Sequence, residues 1–357
     1  MKLVAIQILR AFAALLVVMH HAQFEAATLA TRVGTPFLGS TMLPWRAGVD
    51  VFFVISGFII VHAARSLYGQ PGGRARFLAH RVARLVPLYW LVTTLYLVVA
   101  WRTPALLNGG DNLVPGYVAA AFLFWPALRA DGLIQPLYSL GWTLNYEMAF
   151  YLVFAVGLGW GRRAAFAWLC VALSGLVALG LLVAGLPTPL AFWSDPIVLE
   201  FALGAAIGLV RAEGLRLAFL PRLGLAAAGL VLLASAGTVT DLARPLAYGI
   251  PALLLVAAAA LGSPGRMDET SRPVRALIAL GDASYALYLL HPFVLRGARE
   301  AILRLGLAPV LGPWGGITLM VALAIVISLA AARFVEQPLT RTLRRWLDPA
   351  PRLQKTV

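Results

Sequence analysis

Charged side chains are scarce in this 357-residue chain, at 12% of the total, about half the share of an ordinary soluble domain. That deficit excludes a globular protein with a solvated surface all round. There is one cysteine, Cys170, within an apolar run, so an intramolecular disulfide is excluded. Neither an internal repeat nor a low-complexity linker divides the chain. A cleavable leader is also missing, because the first apolar run has no small-residue cleavage site and passes into polar chain. The net charge of +14 would suit a nucleic-acid partner only on a soluble basic module with interleaved aromatics, and the sequence holds none.

What the chain does have is apolar runs, with 61% of its residues hydrophobic. Runs of about 17 to 22 residues are long enough to cross the hydrocarbon core of a bilayer. Ten such segments are predicted, near residues 4–25, 47–66, 85–101, 138–158, 164–184, 195–211, 223–240, 245–262, 277–297 and 314–334. The segment 115–127 is too short to cross and reads as a re-entrant or interfacial piece. The fold class is therefore all-α, a polytopic integral membrane protein of about ten transmembrane helices. Residues 1–357 are expected to form a single transmembrane domain with no appended soluble domain.

Lysine and arginine set the orientation. With the N-terminus inside, 20 of the 29 lie on the inner side and eight on the outer, with Arg10 inside a span. Both termini are thus expected in the cytoplasm. The longest loops, near 26–46, 67–84 and 102–137, are where lids or binding surfaces are expected.

Ionisable residues inside spans are costly and mark functional sites by default. The first span, in QILRAFAALLVVMHHA, holds Arg10, His20 and His21. Eleven residues from Arg10 to His21 make about 1100° of rotation and roughly 16 Å of helical rise. The two share a face at opposite depths. Toward the outer side lie His20, His21, Asp50, Asp195, Glu200 and His291, with Glu147 nearer the middle. Toward the inner side lie Arg10, Arg74, Arg76, Arg81, Arg84 and Glu336. Proton-handling groups are outside and cations inside, which suits an anionic donor held at the cytoplasm.

His21 is the natural general base or acyl relay, since histidine titrates nearest neutrality. Asp50 or Glu147 would fix its tautomer if their spans pack together. The plain alternative is an interfacial histidine facing water, and that reading is taken for His20. Arg81 and Arg84, three apart in the loop FLAHRVARLVPLYW, would be helix-face neighbours able to fork onto phosphate oxygens. Arginines there also satisfy positive-inside topology without any site. Ser56 and Gly57, in GVDVFFVISGFII, permit close helix approach and mark no site. His291 precedes Pro292, which tends to kink a span, and a structural role is preferred for it. Trp125, Trp142, Trp193 and Trp314 read as interfacial belts, with a sugar-lining role open for Trp142.

These residues together resemble the membrane acyltransferase-3 family of polysaccharide O-acyltransferases. Arg10 and His21 match its arginine–ten residues–histidine motif, GVDVFFVISGF its second signature, and Arg81 to Arg84 its arginine pair. WTLNYE (Trp142 to Glu147) and FVEQPL (Phe334 to Leu339) look like its later motifs. The opening IQILRAFAALLVVMHH is similar to the ExoZ-type exopolysaccharide acetyltransferases. Ala11 and Thr143 depart from the family's usual glycine and serine, which bears on subfamily and substrate more than on chemistry. The resemblance implies a bacterial inner-membrane enzyme with acyl-CoA, usually acetyl-CoA, as donor and no metal. It implies a polysaccharide or lipid-linked sugar hydroxyl as acceptor, with membrane lipid and polysaccharide synthesis or export machinery as partners. It makes His21 catalytic and places Arg10, Arg81 and Arg84 at the donor, while Glu147 and Asp50 join His21 as candidate catalytic carboxylates by their depth in the spans. The rival readings are a proton-coupled transporter or polysaccharide exporter, and a scaffold for a polysaccharide synthase.

Overall fold

The computed structural model describes residues 3–103, 113–236, 243–263 and 271–347. Lys2, Arg266, Arg352 and Lys355 of the inner-side count, and the end of the predicted span at 223–240, lie outside the described residues. Among the described residues the elements are helical, in the order α1 (Val4–Val33), α2 (Gly48–Ala63), α3 (Gly73–Arg102), α4 (Pro115–Phe122), α5 (Trp142–Gly157), α6 (Arg162–Leu182), α7 (Thr188–Trp193), α8 (Leu199–Ala212), α9 (Phe219–Ser235), α10 (Ile250–Ala260), α11 (Arg272–Asp282), α12 (Ser284–Arg304), α13 (Ala308–Ala331) and α14 (Gln337–Leu347).

Each predicted span meets a helix, but the lengths differ from those expected. Among the described residues, five stretches are long and apolar enough to cross a membrane: α1, Trp45–Ala63, α3, α6 and Ala308–Leu347. The pair α11 and α12 qualifies together as a sixth, bent by 76° at its break. The helices at four other predicted spans are short: α5 has 16 residues, α8 has 14, α9 has 17, and Pro245–Ala260 is likewise below span length.

The chain divides into two compact units. The first comprises Met1–His62 and Leu199–Arg333. Its centre is α1, packed against α10, α11, α12 and α13. The reason is legible along α1, where Ala14, Val18, Ala22, Ala26 and Ala30 recur every fourth residue and all are buried. Small side chains in one stripe let helices approach closely, and Leu287, Leu295, Ile317 and Met320 fill the space beside them. The same device joins α2 to α8. A Cβ at Gly57 would lie 2.1 Å from the Phe201 carbonyl oxygen, and one at Gly204 would lie 1.9 Å from that of Val54. Gly57 is therefore a packing residue, as expected.

The sharp bend in the predicted span 277–297 falls at Ala283, and Pro292 lies inside α12. Its cause is at the end of α11, where a Cβ on Gly281 would meet the Gln7 carbonyl oxygen at 2.0 Å. There α11 abuts the backbone of α1, and the chain changes direction before α12 begins.

The second unit comprises Ala63–Val198 and Phe334–Val357. Its longest element, α3, packs against α5 and α14, and α5 packs against α6. Arg74, Arg76, Arg81 and Arg84, expected in a loop, are within α3, which begins at Gly73. The run RARFLAHRVARL is rich in strong helix formers, so the helix extends well ahead of the apolar stretch. The segment expected to be re-entrant or interfacial forms the eight-residue α4. It is pinned to α3 by hydrogen bonds from Tyr89 Oη to Ala121 O (3.0 Å) and from Trp90 Nε1 to Phe122 O (2.9 Å).

Candidate active site

Within the first unit, α1 presents its ionisable groups to α12 in register. Arg10, only 8% exposed, donates from Nη2 to Ser284 Oγ at 2.8 Å and from Nη1 to Gln7 Oε1 at 3.1 Å. Ser284 opens α12 just after α11 has ended, so the bend between the two helices is what brings its hydroxyl to Arg10. Further along, His21 meets His291, with Nδ1 to Nε2 at 3.2 Å and ring centroids 4.9 Å apart. Each ring also has a backbone carbonyl at its own Nδ1: Val17 O at 2.9 Å for His21 and Leu287 O at 3.0 Å for His291. His291 has no exposed surface. His20 is exposed and stands edge-on to His21, with ring centroids 5.1 Å apart. Beyond them, Glu25 pairs with Arg299, which also grips Glu300 at 2.7 Å, while Arg296 approaches Glu25 at 3.6 Å.

No carboxylate is hydrogen-bonded to His21 among the described residues, although Asp50 or Glu147 was expected there. Asp50, with no exposed surface, is engaged by Arg244 through Nε at 2.8 Å and Nη2 at 3.0 Å. Arg244 stands just before a turn of π-helix at Pro245–Gly249, and such single turns are frequent at functional sites. Glu200, also fully buried, lies against Gly249, where a Cβ would be 3.0 Å from its Cγ.

In the second unit, Arg81 and Arg84 project from α3. The Arg81 guanidinium lies over the Phe77 ring at 5.6 Å and is hydrogen-bonded to Tyr151. The Tyr151 hydroxyl donates to Glu147 Oε1, one turn earlier on α5. One phenol thus ties the predicted donor arginine to the predicted carboxylate. Nearby on α5, Asn145 is 1% exposed and neither of its side-chain polar atoms has a partner. Trp142 stands edge-on to Tyr146, which stacks on Phe192 at 4.1 Å.

Chemically, the first unit offers an imidazole held by a second imidazole, with a buried cation further down the same helix. The second offers a half-buried guanidinium bridged to a carboxylate. Among the described residues no cluster of three or more His, Cys, Asp or Glu side chains could hold a metal ion. The partners Ser284, Arg244 and Tyr151 were not singled out from sequence as carrying chemistry, and His291 was assigned a structural role. For His291 the sequence signal is a histidine late in an apolar run, and the adjacent Pro292 accounts for a kink without it.

Comparison with known proteins bears on all of these groups. Residues 3–333 match a family model described as an acyltransferase domain. The chain is 35% identical over 313 residues to the exopolysaccharide production protein ExoZ of Rhizobium meliloti (strain 1021), covering 83% of this chain and 89% of that one. It is 30% identical over 372 residues to the acyltransferase MdmB of Streptomyces mycarofaciens, covering 94% and 91%. A third relative, protein 2 in the picA locus of Rhizobium radiobacter, is 32% identical over 170 residues, covering 44% and 81%. No solved structure matches the chain.

Proposed function

Because the chain belongs to the acyltransferase-3 family and is an acyltransferase, we propose that it moves an acyl group, acetyl foremost, from cytoplasmic acyl-CoA to a sugar hydroxyl. The acceptor is an exported or cell-surface polysaccharide or its lipid-linked precursor, and the relative named for exopolysaccharide production supports that class. The enzyme works as a multi-pass protein of the bacterial inner membrane, with ten crossings, both termini in the cytoplasm, and polysaccharide synthesis or export machinery beside it.

The observation that carries this reading is the face of α1 on which Arg10 and His21 are each anchored by α12, through Ser284 and His291. A buried cation and an imidazole about 16 Å apart along one helix suit a long anionic donor whose thioester end must reach a base. Arg81 and Arg84 receive the phosphates of the coenzyme, Arg10 lies along the arm, and His21 acts at the carbonyl. In the transfer, the acceptor oxygen attacks the thioester carbonyl while His21 takes the hydroxyl proton. The C–S bond then breaks, and the departing thiolate takes the proton from His21. Passage of the acyl group through His21 itself is the other route open to the same residue. Asp50 and Glu147 serve the site through the groups they hold, Arg244 and Tyr151.

A proton-coupled transporter or exporter would share the intramembrane charges, and the broken α11–α12 pair is the feature that favours it. One experiment separates the readings. Purified protein in nanodiscs, given acetyl-CoA labelled on the acetyl group and a panel of polysaccharide and lipid-linked acceptors, should transfer label. His21→Ala should insert normally and transfer none. Undiminished transfer by that variant removes His21 from the mechanism, and no transfer by the wild type to any acceptor favours the carrier.

A further inference from the structure

His21 has two nitrogens, and only one can be the base, so the contacts of the other decide which. A backbone carbonyl oxygen accepts hydrogen bonds and cannot donate. Leu287 O lies 3.0 Å from His291 Nδ1, so that nitrogen carries the hydrogen of the neutral ring, and His291 Nε2 presents a lone pair. The lone pair faces His21 Nδ1 at 3.2 Å, and Val17 O faces the same atom at 2.9 Å. Two acceptors converge on His21 Nδ1, so it bears the hydrogen. The reverse assignment, with His291 Nε2 donating, would set bare nitrogens against both carbonyls. Only one pair of tautomers satisfies all three contacts.

We propose that His291 is a positioning residue, which together with the Val17 carbonyl holds His21 as the Nδ1–H tautomer and leaves His21 Nε2 as the atom that does the chemistry. This deepens the function proposed above and rests on it. When Nε2 takes the acceptor's proton, positive charge spreads over the His21 ring and its Nδ1–H becomes a charge-assisted donor. Val17 O and His291 Nε2 receive that stronger bond. The Nδ1 hydrogen stays on His21 throughout, and the proton gained at Nε2 leaves with the thiolate. An acyl-histidine route would use the same Nε2. A neutral imidazole in this place stabilises the developing charge without adding a carboxylate to a buried site, where an unpaired charge costs several kcal/mol. Asp50, committed to Arg244, is not required at His21.

Three measurements test the assignment. His291→Gln keeps an acceptor oxygen near the position of Nε2, while His291→Phe keeps a ring of similar size and offers none. In the labelled-acetyl assay, His291→Phe should lower kcat by about 100-fold, the lower end of what a positioned base contributes, with KM for acetyl-CoA unchanged. His291→Gln should stay within about tenfold of wild type, as expected where the acceptor and not the ring is what matters. Nitrogen-15 NMR of histidine-labelled wild type, with the His21 signals assigned by their loss in His21→Ala, should show Nδ1 protonated and Nε2 bare. Equal kcat for the Phe and Gln variants overturns the role of His291, and a protonated Nε2 overturns the tautomer whatever the variants do. A wild type that transfers no label overturns the function beneath the inference, an outcome distinct from transfer that is indifferent to His291. Should His291→Phe not fold, the NMR result on wild type decides the tautomer and the Gln variant decides the acceptor.

Discussion

Asp50 is a carboxylate without exposed surface, and the fork of Arg244 is what its two oxygens meet. Removing the arginine would strand the charge, which typically costs 3–5 kcal/mol for a buried pair, whereas removing both charges costs far less. Arg244→Ala should therefore lower the melting temperature in detergent markedly, and Asp50→Asn on top of it should restore much of the loss; additive losses would show the pair is not coupled. Tyr151 permits a test at the donor side. Tyr151→Phe keeps the ring and removes the hydroxyl that joins Arg81 to Glu147. A hydrogen bond to a charged group is worth about 1.5–3 kcal/mol, so KM for acyl-CoA should rise by roughly tenfold or more with folding unchanged. An unaltered KM would separate Arg81 from the donor. The candidates Arg10, His21, Asp50 and Glu147 were legible in the sequence because an ionisable group in an apolar run is conspicuous, and Arg81 through its three-residue spacing from Arg84. Their partners were not, because Ser284, Arg244 and His291 stand 194 to 274 residues away, and only tertiary packing selects among the serines, arginines and histidines available.

At the scale of elements, hydropathy located a helix at every predicted span, since an apolar run in a bilayer must satisfy its backbone internally. Helix ends were less legible. Propensity extends α3 back to Gly73 although its first turns are arginine-rich, and the break at Ala283 comes from the contact of Gly281 with α1, which no local pattern encodes. The glycine crossing of α2 and α8 gives a sharp test of such contacts. A Cβ at Gly57 would overlap the Phe201 carbonyl, while one at Gly116 on α4 meets nothing within 4 Å. Gly57→Ala should force the two helices apart and cost about 1–3 kcal/mol, the usual penalty of overpacking, read as a lower melting temperature. Gly116→Ala should be neutral or slightly stabilising. Equal behaviour of the two would mean that α2 and α8 do not cross at these glycines.

For the whole molecule, the ten proposed crossings are constrained by the direction of two helices. The pairs Arg10–Ser284, His21–His291 and Glu25–Arg299 ascend both α1 and α12, so these helices run parallel and an odd number of crossings must separate them. Ten spans meet this condition, and so do six built from the long helices alone. The two counts part at the start of α6. With ten, α5 crosses and Gly161 lies in the cytoplasm beside Arg162 and Arg163, as the positive-inside rule prefers. With six, α5 does not cross and Gly161 lies outside. The single Cys170 makes the experiment simple, because Cys170→Ala leaves a background in which one introduced thiol reports alone. Gly161 tolerates the change, since a Cβ there meets nothing within 4 Å. With the N-terminus inside, as proposed, Leu305, 70% exposed, lies outside under either count and serves as the reference. An impermeant maleimide should label Leu305→Cys in intact cells and Gly161→Cys only after the membrane is opened. Labelling of Gly161→Cys in intact cells would overturn the count of ten and leave α5, with Glu147 and Tyr151, outside the set of spanning helices.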